Sequence, residues 1–307
     1  MKVMKFGGAC LKDKTSFLKV AEIITSEKEE TIVVLSAIFN VTDSLLDCLQ
    51  KVKTNEHEVI IMINKIRKVH LTRAKKAIKN KQILDRTIKS ISTKIQKLEG
   101  LLYGIVYTKE LLDSTKALIL SYGERISVLI LEGVLLSKGV NARAIESDKI
   151  GLITNSSFEN ATAILPLVKN NLKRTVLPLV KNGTIPIITG YFGCTKDGKV
   201  TTLGRNGSDY SAAVIANGAS ASVLEIWKDV SGFMSADPKV VKSAYKIDTL
   251  SYSEAAELSY LGARILHPRT IEPLMNSNIP MFIKNIHDPN NPGTKIFRNG
   301  FWKKDIA

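Results

Sequence analysis

Thr201-Thr202-Leu203-Gly204-Arg205-Asn206-Gly207-Ser208-Asp209-Tyr210-Ser211-Ala212-Ala213 decides how the rest of the chain is read. Two glycines flank a cation, and a Ser-Asp pair follows. A small-residue apolar run from Ala212 to Ala216 then starts a helix that stops at Asn217-Gly218. Ser208 or Asp209 suits the N-cap, where a short oxygen-bearing side chain accepts a free backbone N–H. Gly218 falls where glycine ends a helix. A Gly-rich loop therefore delivers Arg205 beside a helix N-terminus. Unsatisfied N–H groups and partial positive charge suit an anion there. The planar guanidinium can grip a carboxylate or a phosphate with two parallel bonds. Alone, such a stretch is more often a tight turn with a surface arginine. The neighbouring sequence changes that reading.

The 307 residues are 44% hydrophobic and 24% charged, as in an ordinary soluble protein, and suit one large α/β domain or two lobes. No apolar run approaches the roughly 20 residues that span a bilayer. The N-terminus enters a β-like run at once, with no signal peptide. Cys10, Cys48 and Cys194 are odd in number and lack paired spacing, which fits free thiols in a reducing cytoplasm. His57, His70, His267 and His287 form no zinc-binding pattern, so no metal site built from protein ligands is expected. The formal charge of +15 is the one unusual total. Much of it lies between Lys65 and Lys97, along helical-looking sequence without a nucleic-acid motif. We read it as a solvated helical face with no membrane partner, a secondary affinity for nucleic acid being the less favoured alternative.

Met1 to Gly8 reads as a strand ending in Gly7-Gly8, followed by a helix with Phe17, Val20, Ala21 and Ile24 on one face. Thr31-Ile32-Val33-Val34-Leu35 is a buried strand of the parallel type. It ends in Ser36-Ala37, and a loop leads to a helix from Leu45 to Lys51. This β-loop-α order is that of a doubly wound sheet, whose ligands sit at the carboxyl ends of strands. Residues 55–120 read as a basic helical excursion. Gly123-Glu124-Arg125 enters a helix from Ile126 to Leu136. Short strands are expected at 142–146 and 151–154, and one helix over Leu172 to Val180 closed by Gly183. A strand, Ile185 to Thr189, ends in Gly190-Tyr191-Phe192-Gly193, and Asp197-Gly198 makes a hairpin turn. Val223 to Trp227 is a strand, Ser251 and Glu254 form a capping box, and Met281 to Ile286 is a closing strand.

Three glycine-bearing strand ends now stand together: Lys5-Phe6-Gly7-Gly8, Gly190 to Gly193, and Gly204 to Asp209. This suits phosphoryl transfer. Glycines let the backbone approach phosphate oxygens, and Lys5 can neutralise charge on the transferring group. There is no P-loop signature and no protein-kinase signature. These residues resemble the amino-acid kinase family, most closely its members that phosphorylate aspartate. The resemblance also takes in Ser36-Ala37 with Val41-Thr42-Asp43, Gly123-Glu124-Arg125, Asp229-Val230-Ser231-Gly232 with Ala236-Asp237-Pro238, and Gly262 to Pro268.

The resemblance implies a three-layer αβα sandwich around a mainly parallel sheet. Residues 1–200 would form an amino-acid lobe and 201–307 a nucleotide lobe, in a single catalytic domain without ACT domains. It implies Lys5, Gly8 and Asp209 as catalytic residues. Ser36, Thr42, Glu124, Tyr191, Arg205, Ser208 and Asp209 would bind the amino acid. Lys5, Gly7, Gly8, Lys228, Asp229, Met234, Lys239, Arg264 and Ile265 would hold ATP, and Mg²⁺ would arrive with the nucleotide. The implied reaction is phosphorylation of the β-carboxylate of L-aspartate in the cytoplasm, without feedback inhibition through ACT sites. A homodimer is usual in the family. Departures lie at Ala9-Cys10, where hydroxyl side chains are usual, at the bulky Ile38-Phe39-Asn40, at Lys228 for threonine and at Met234 for tyrosine. They leave open a divergent kinase with another small acidic substrate, or a degenerate kinase acting as a binding protein. His267 and Cys194 are expected to have structural rather than catalytic parts.

Overall fold

The computed structural model describes residues 1–238, 240–263 and 265–299. Strand β1 (Lys2–Phe6) leads through a 3₁₀ turn, Gly8–Leu11, to α1 (Ser16–Thr25), β2 (Thr31–Leu35) and α2 (Val41–Lys51). Four helices follow: α3 (His57–Ala77), α4 (Lys81–Thr108), α5 (Asp113–Leu120) and α6 (Tyr122–Ser137). Next come β3 (Ala142–Ile145), α7 (Leu165–Thr175), α8 (Leu177–Lys181) and β4 (Ile185–Thr189). A ribbon of β5 (Phe192–Cys194) and β6 (Val200–Thr202) precedes α9 (Gly207–Gly218) and β7 (Val223–Lys228). The remainder is β8 (Thr249–Ser251), α10 (Tyr252–Tyr260), α11 (Glu272–Met275), β9 (Met281–Asn285) and β10 (Thr294–Phe297).

Eight strands form one sheet in the order β3-β4-β2-β1-β7-β9-β10-β8, and only β9 and β10 pair antiparallel. Successive side chains on a strand point to opposite faces. Met4, Phe6, Val33 and Leu35 join the core made with α1, α2, α3, α4 and α6. Val3, Ile32, Val34, Leu224 and Ile226 join the core made with α7 and α9. Helices on both faces bury the central strands completely, which is why β2 reads as a continuous apolar run rather than an alternating one. The result is the three-layer sandwich with a mainly parallel sheet. Its first half, β3-β4-β2-β1, comes from residues before 190, and its second half from residues after 222. The pairing of β1 with β7 joins the halves, so strand order reverses at the end of β1. That is where a doubly wound sheet opens a crevice for a ligand.

The helical excursion is present as α3, α4 and α5. Helix α4 buries Ile91, Ile95, Leu98, Leu102 and Ile105, a four-then-three spacing that forms one stripe. Lys89 and Lys97 lie on its exposed side. Helix α10 carries the expected capping box between Ser251 and Glu254. Several boundaries differ from the sequence reading. Helix α2 begins at Val41, because Asn40 takes a left-handed φ of 64° and turns the chain early. Helix α6 begins at Tyr122, so Glu124 lies in its first turn. Residues 151–154 form only isolated bridges, since Gly151 at φ 75° interrupts the extended run. The helix expected over 172–180 is split at Val176, with Pro178 in the first turn of α8. Strands β8 and β10, at the sheet's end, were not anticipated.

Phe17 of α1 is fully buried in the core that also holds Met4, Phe6, Val33 and Leu35. Phe17→Ala should therefore cost about 3–5 kcal/mol through lost burial and the cavity left behind. In urea titration this lowers the midpoint with an unchanged slope; a wild-type midpoint would contradict the packing described.

Candidate active site

A cleft of about 960 Å³ opens over the carboxyl ends of the central strands. Three helices begin at its wall. Asn40 and Thr42 belong to the start of α2, Glu124 to α6, and Gly207, Ser208 and Asp209 to α9. Each start directs free N–H groups and partial positive charge toward the cleft. Gly7 and Gly8 line the same space. A Cβ on Gly8 would stand 3.0 Å from the Ala37 carbonyl oxygen, and one on Gly7 would stand 3.2 Å from Lys5 Nζ. Neither position has room for a side chain without a shift of its neighbours, and the backbone is left open to the cleft.

The floor of the cleft is an ion cluster. Lys5 sits on the β1 face that looks toward α9, and its Nζ lies 2.6 Å from Asp209 Oδ1. Lys228, at the end of β7, places Nζ 3.0 Å from Asp209 Oδ2. Asp209 is only 2% exposed. Burial pushes its carboxyl up, but the ammonium groups of Lys228 and Lys5 outweigh that and hold it at about 2. Asp209 is thus a carboxylate at every physiological pH.

Glu124 behaves in the opposite way. Its Oε1 accepts the Ala37 N–H at 3.0 Å, and its Oε2 has no hydrogen-bond partner among the described residues. Burial raises its carboxyl to about 8, against the pull of Ala37 N–H and the Lys5 charge. This unpartnered oxygen at the cleft wall is free to meet a ligand N–H once the carboxyl ionises. Glu124 does not pair with its neighbour: Arg125 instead binds Glu146 and Asp148 and covers the Phe192 ring. Arg125 therefore ties α6 to the segment after β3.

Arg205 is exposed and lines the cleft beside the α9 start. The N-cap is Asn206, at φ 55°, and not Ser208 or Asp209. Asparagine tolerates this left-handed conformation better than most residues, and its use here moves Ser208 and Asp209 into the first turn. At the other end, Gly218 is still helical, and Ser220 takes the left-handed turn at φ 53°. Tyr191 also has a positive φ, 75°, which is uncommon for a bulky residue. Leu203 N donates to its carbonyl at 2.8 Å, and its own N–H donates to Ser211 Oγ at 3.3 Å. Gly207 is needed beside it, since a Cβ there would stand 3.1 Å from the Tyr191 ring.

Lys5, Gly7, Gly8, Ser36, Thr42, Glu124, Tyr191, Arg205, Ser208, Asp209, Lys228, Asp229 and Ile265 all line this one cleft. Met234, paired with Lys246 through an isolated backbone bridge, is not among these lining residues. Lys239 and Arg264 lie outside the described residues. Phe39, Asn40, Asp43, Asn206 and Asp237 also line the cleft and were not singled out as binding residues from sequence. Asn40 and Asn206 could have been found from their place before a helix start. Cys10 does not face the cleft: its Sγ lies 3.2 Å from the Trp227 carbonyl oxygen and is buried. The departure there concerns packing, while Ala9 lines the cleft. His267 caps the 3₁₀ turn Pro268–Thr270 by accepting Arg269 N, a structural use.

The raised Glu124 carboxyl sets a stability trend. A folded-state value above the ordinary 4.5 means stability is fully present below about pH 4.5 and is lost as pH rises through about 8. Glu124→Gln cannot ionise. The variant should lose less stability than wild type in urea titrations between about pH 5 and about pH 8. Equal slopes in the two proteins would contradict a buried, protonated Glu124.

Comparison with known proteins agrees with this arrangement. The model of the amino acid kinase family matches residues 1–285. The bifunctional aspartokinase/homoserine dehydrogenase of Buchnera aphidicola is 34% identical over 100% of this chain and 38% of its own length. Aspartokinase 1, chloroplastic, of Arabidopsis thaliana is 34% identical over 99% of this chain and 53% of its own length. Among solved structures, E. coli aspartokinase III in complex with aspartate and ADP superposes with a TM-score of 0.88. It is 29% identical, over 97% of this chain and 64% of that one. The chain thus spans between about a third and two thirds of these relatives. With the family model matching nearly its whole length, and the fold and cleft as described, the chain belongs to the amino acid kinase family.

Proposed function

We propose that this chain is the catalytic part of an aspartate kinase. It would transfer the γ-phosphoryl group of MgATP to the β-carboxylate of L-aspartate, giving 4-phospho-L-aspartate and ADP. That reaction is the first step toward lysine, threonine and methionine. The observation that carries the reading is the meeting, in one cleft, of opposed recognition groups. The exposed Arg205 suits a carboxylate, the orphaned Glu124 oxygen suits an ammonium group, and Lys5 beside Gly7-Gly8 suits phosphate. The E. coli relative, solved with aspartate and ADP, supports the same pairing of ligands.

In this reading the acceptor carboxylate is already anionic, so no general base is needed and catalysis rests on alignment and charge neutralisation. Arg205 holds the α-carboxylate with charge-assisted bonds. Glu124 releases its proton as it receives the α-ammonium group, an opposite charge that lowers its carboxyl. Thr42, Ser208 and Tyr191 frame the acceptor. Lys5 meets the charge that develops on the transferring group. Asp229 and Ile265, toward β7 and the later loops, stand on the nucleotide side, with residues after 200 supplying most of that half. The side-chain-free backbone of Gly8 at the cleft wall fits phosphate oxygens. Mg²⁺ arriving with the nucleotide would supply further charge neutralisation there. The free thiols Cys10, Cys48 and Cys194 fit a reducing compartment, and we place the reaction in the cytoplasm.

ADP release with MgATP and L-aspartate, L-glutamate, N-acetyl-L-glutamate or UMP tests the reading. Turnover should depend on aspartate. Arg205→Ala should raise KM for aspartate about tenfold or more, the worth of one charge-assisted bond. Lys5→Ala should lower kcat by about 10²–10³. Turnover with another acceptor alone would move the substrate assignment. Full kcat in Lys5→Ala would remove Lys5 from the chemistry.

A further inference from the structure

Lys5 of β1 is in register with Ile226 of β7, so Lys228 stands two residues further toward the cleft on the same face of the sheet. Both side chains therefore reach the first turn of α9, one to each oxygen of Asp209. The two lysines are not equivalent. Lys5 is 6% exposed and lies against Gly7, while Lys228 is 18% exposed. The carboxylate between them is almost wholly shielded from water.

This arrangement resolves a conflict. A buried carboxylate held by one lysine resists losing it, because an unpaired buried charge is strongly destabilising. Lys5 alone would have to divide its three N–H donors between Asp209 and a phosphate. We infer that Lys228 is a positioning residue that keeps Asp209 neutralised, so that Lys5 can turn from Asp209 to the terminal phosphate of a nucleoside triphosphate. This rests on the proposed kinase reading, but it concerns only the chain's own ion cluster and its response to the third phosphate. Lys228 keeps Asp209 paired while Lys5 is engaged elsewhere. Asp209 in turn holds Lys5 in place when no phosphate is present. The common threonine at this position, noted above as the family habit, cannot supply that charge.

Calorimetric titration with a non-hydrolysable MgATP analogue and with MgADP tests the inference without needing turnover. Lys228→Met should bind the triphosphate at least tenfold more weakly than wild type, and MgADP within threefold. Lys228→Arg should restore triphosphate binding to within threefold of wild type. In an Asp209→Asn background no buried carboxylate needs a counter-ion, so adding Lys228→Met should have no further effect on triphosphate binding. Lys228→Gln repeats the test if the methionine variant does not unfold cooperatively like wild type. Unchanged triphosphate affinity, an equal loss for both nucleotides, or an undiminished loss in the Asp209→Asn background would each overturn the inference. A wild-type chain that binds neither nucleotide would overturn it too. If wild type binds nucleotide but shows no aspartate-dependent turnover, the substrate reading fails while these titrations still decide the part played by Lys228.

Discussion

The structure depends on a carboxylate that cannot be left alone. Asp209 is buried in the first turn of α9, between a lysine from the first strand of the chain and a lysine from the seventh. An ion cluster of this kind is costly to desolvate and is weak evidence of stability by itself. What it does is bind three elements, β1, β7 and α9, at the point where the two halves of the sheet meet. The cleft lies there because strand order reverses there, and the lysines point into it because the register of β1 and β7 puts them on one face.

Opposite treatment of two carboxyls follows from their surroundings. Asp209 has two ammonium neighbours that hold its carboxyl at about 2, whereas burial raises the Glu124 carboxyl to about 8. One carboxyl is a fixed charge that organises lysines. The other is a buried group kept neutral by burial, with one oxygen unpartnered among the described residues. Helix starts frame both: α9 carries Asp209 and α6 carries Glu124, each in its first turn. The helix macrodipole favours negative charge at these ends, which helps α9 hold an ionised Asp209.

Much of this was legible in the chain. The alternation of β-branched runs with amphipathic helices marked the doubly wound sheet, and Gly7-Gly8, Gly190 and Gly204-Gly207 marked the strand ends around the cleft. Glycine announces itself because backbone constraint is local. The contacts that define the cleft are not local. Glu124 meets Ala37 across 87 residues, and Lys5 meets Asp209 only once β1 and α9 are adjacent. Lys228 could be named as a departure from sequence, but its partner required the strand register. Met234, placed on the nucleotide side by the resemblance, pairs with Lys246 through an isolated bridge and is not among the residues lining the cleft. The N-cap of α9 was misplaced because a left-handed asparagine, not a hydroxyl or carboxyl, turns the chain there. The short strands β8 and β10 were missed because three or four residues carry too little pattern.

The central claim is that this cleft makes an acyl phosphate from aspartate. Hydroxylamine trapping measures it most directly, because an acyl phosphate forms a hydroxamate and a phosphate ester does not. The account predicts aspartyl hydroxamate equal in amount to the ADP released from MgATP, and none when aspartate is omitted. ADP release without hydroxamate, in the presence of aspartate and excess hydroxylamine, would contradict it.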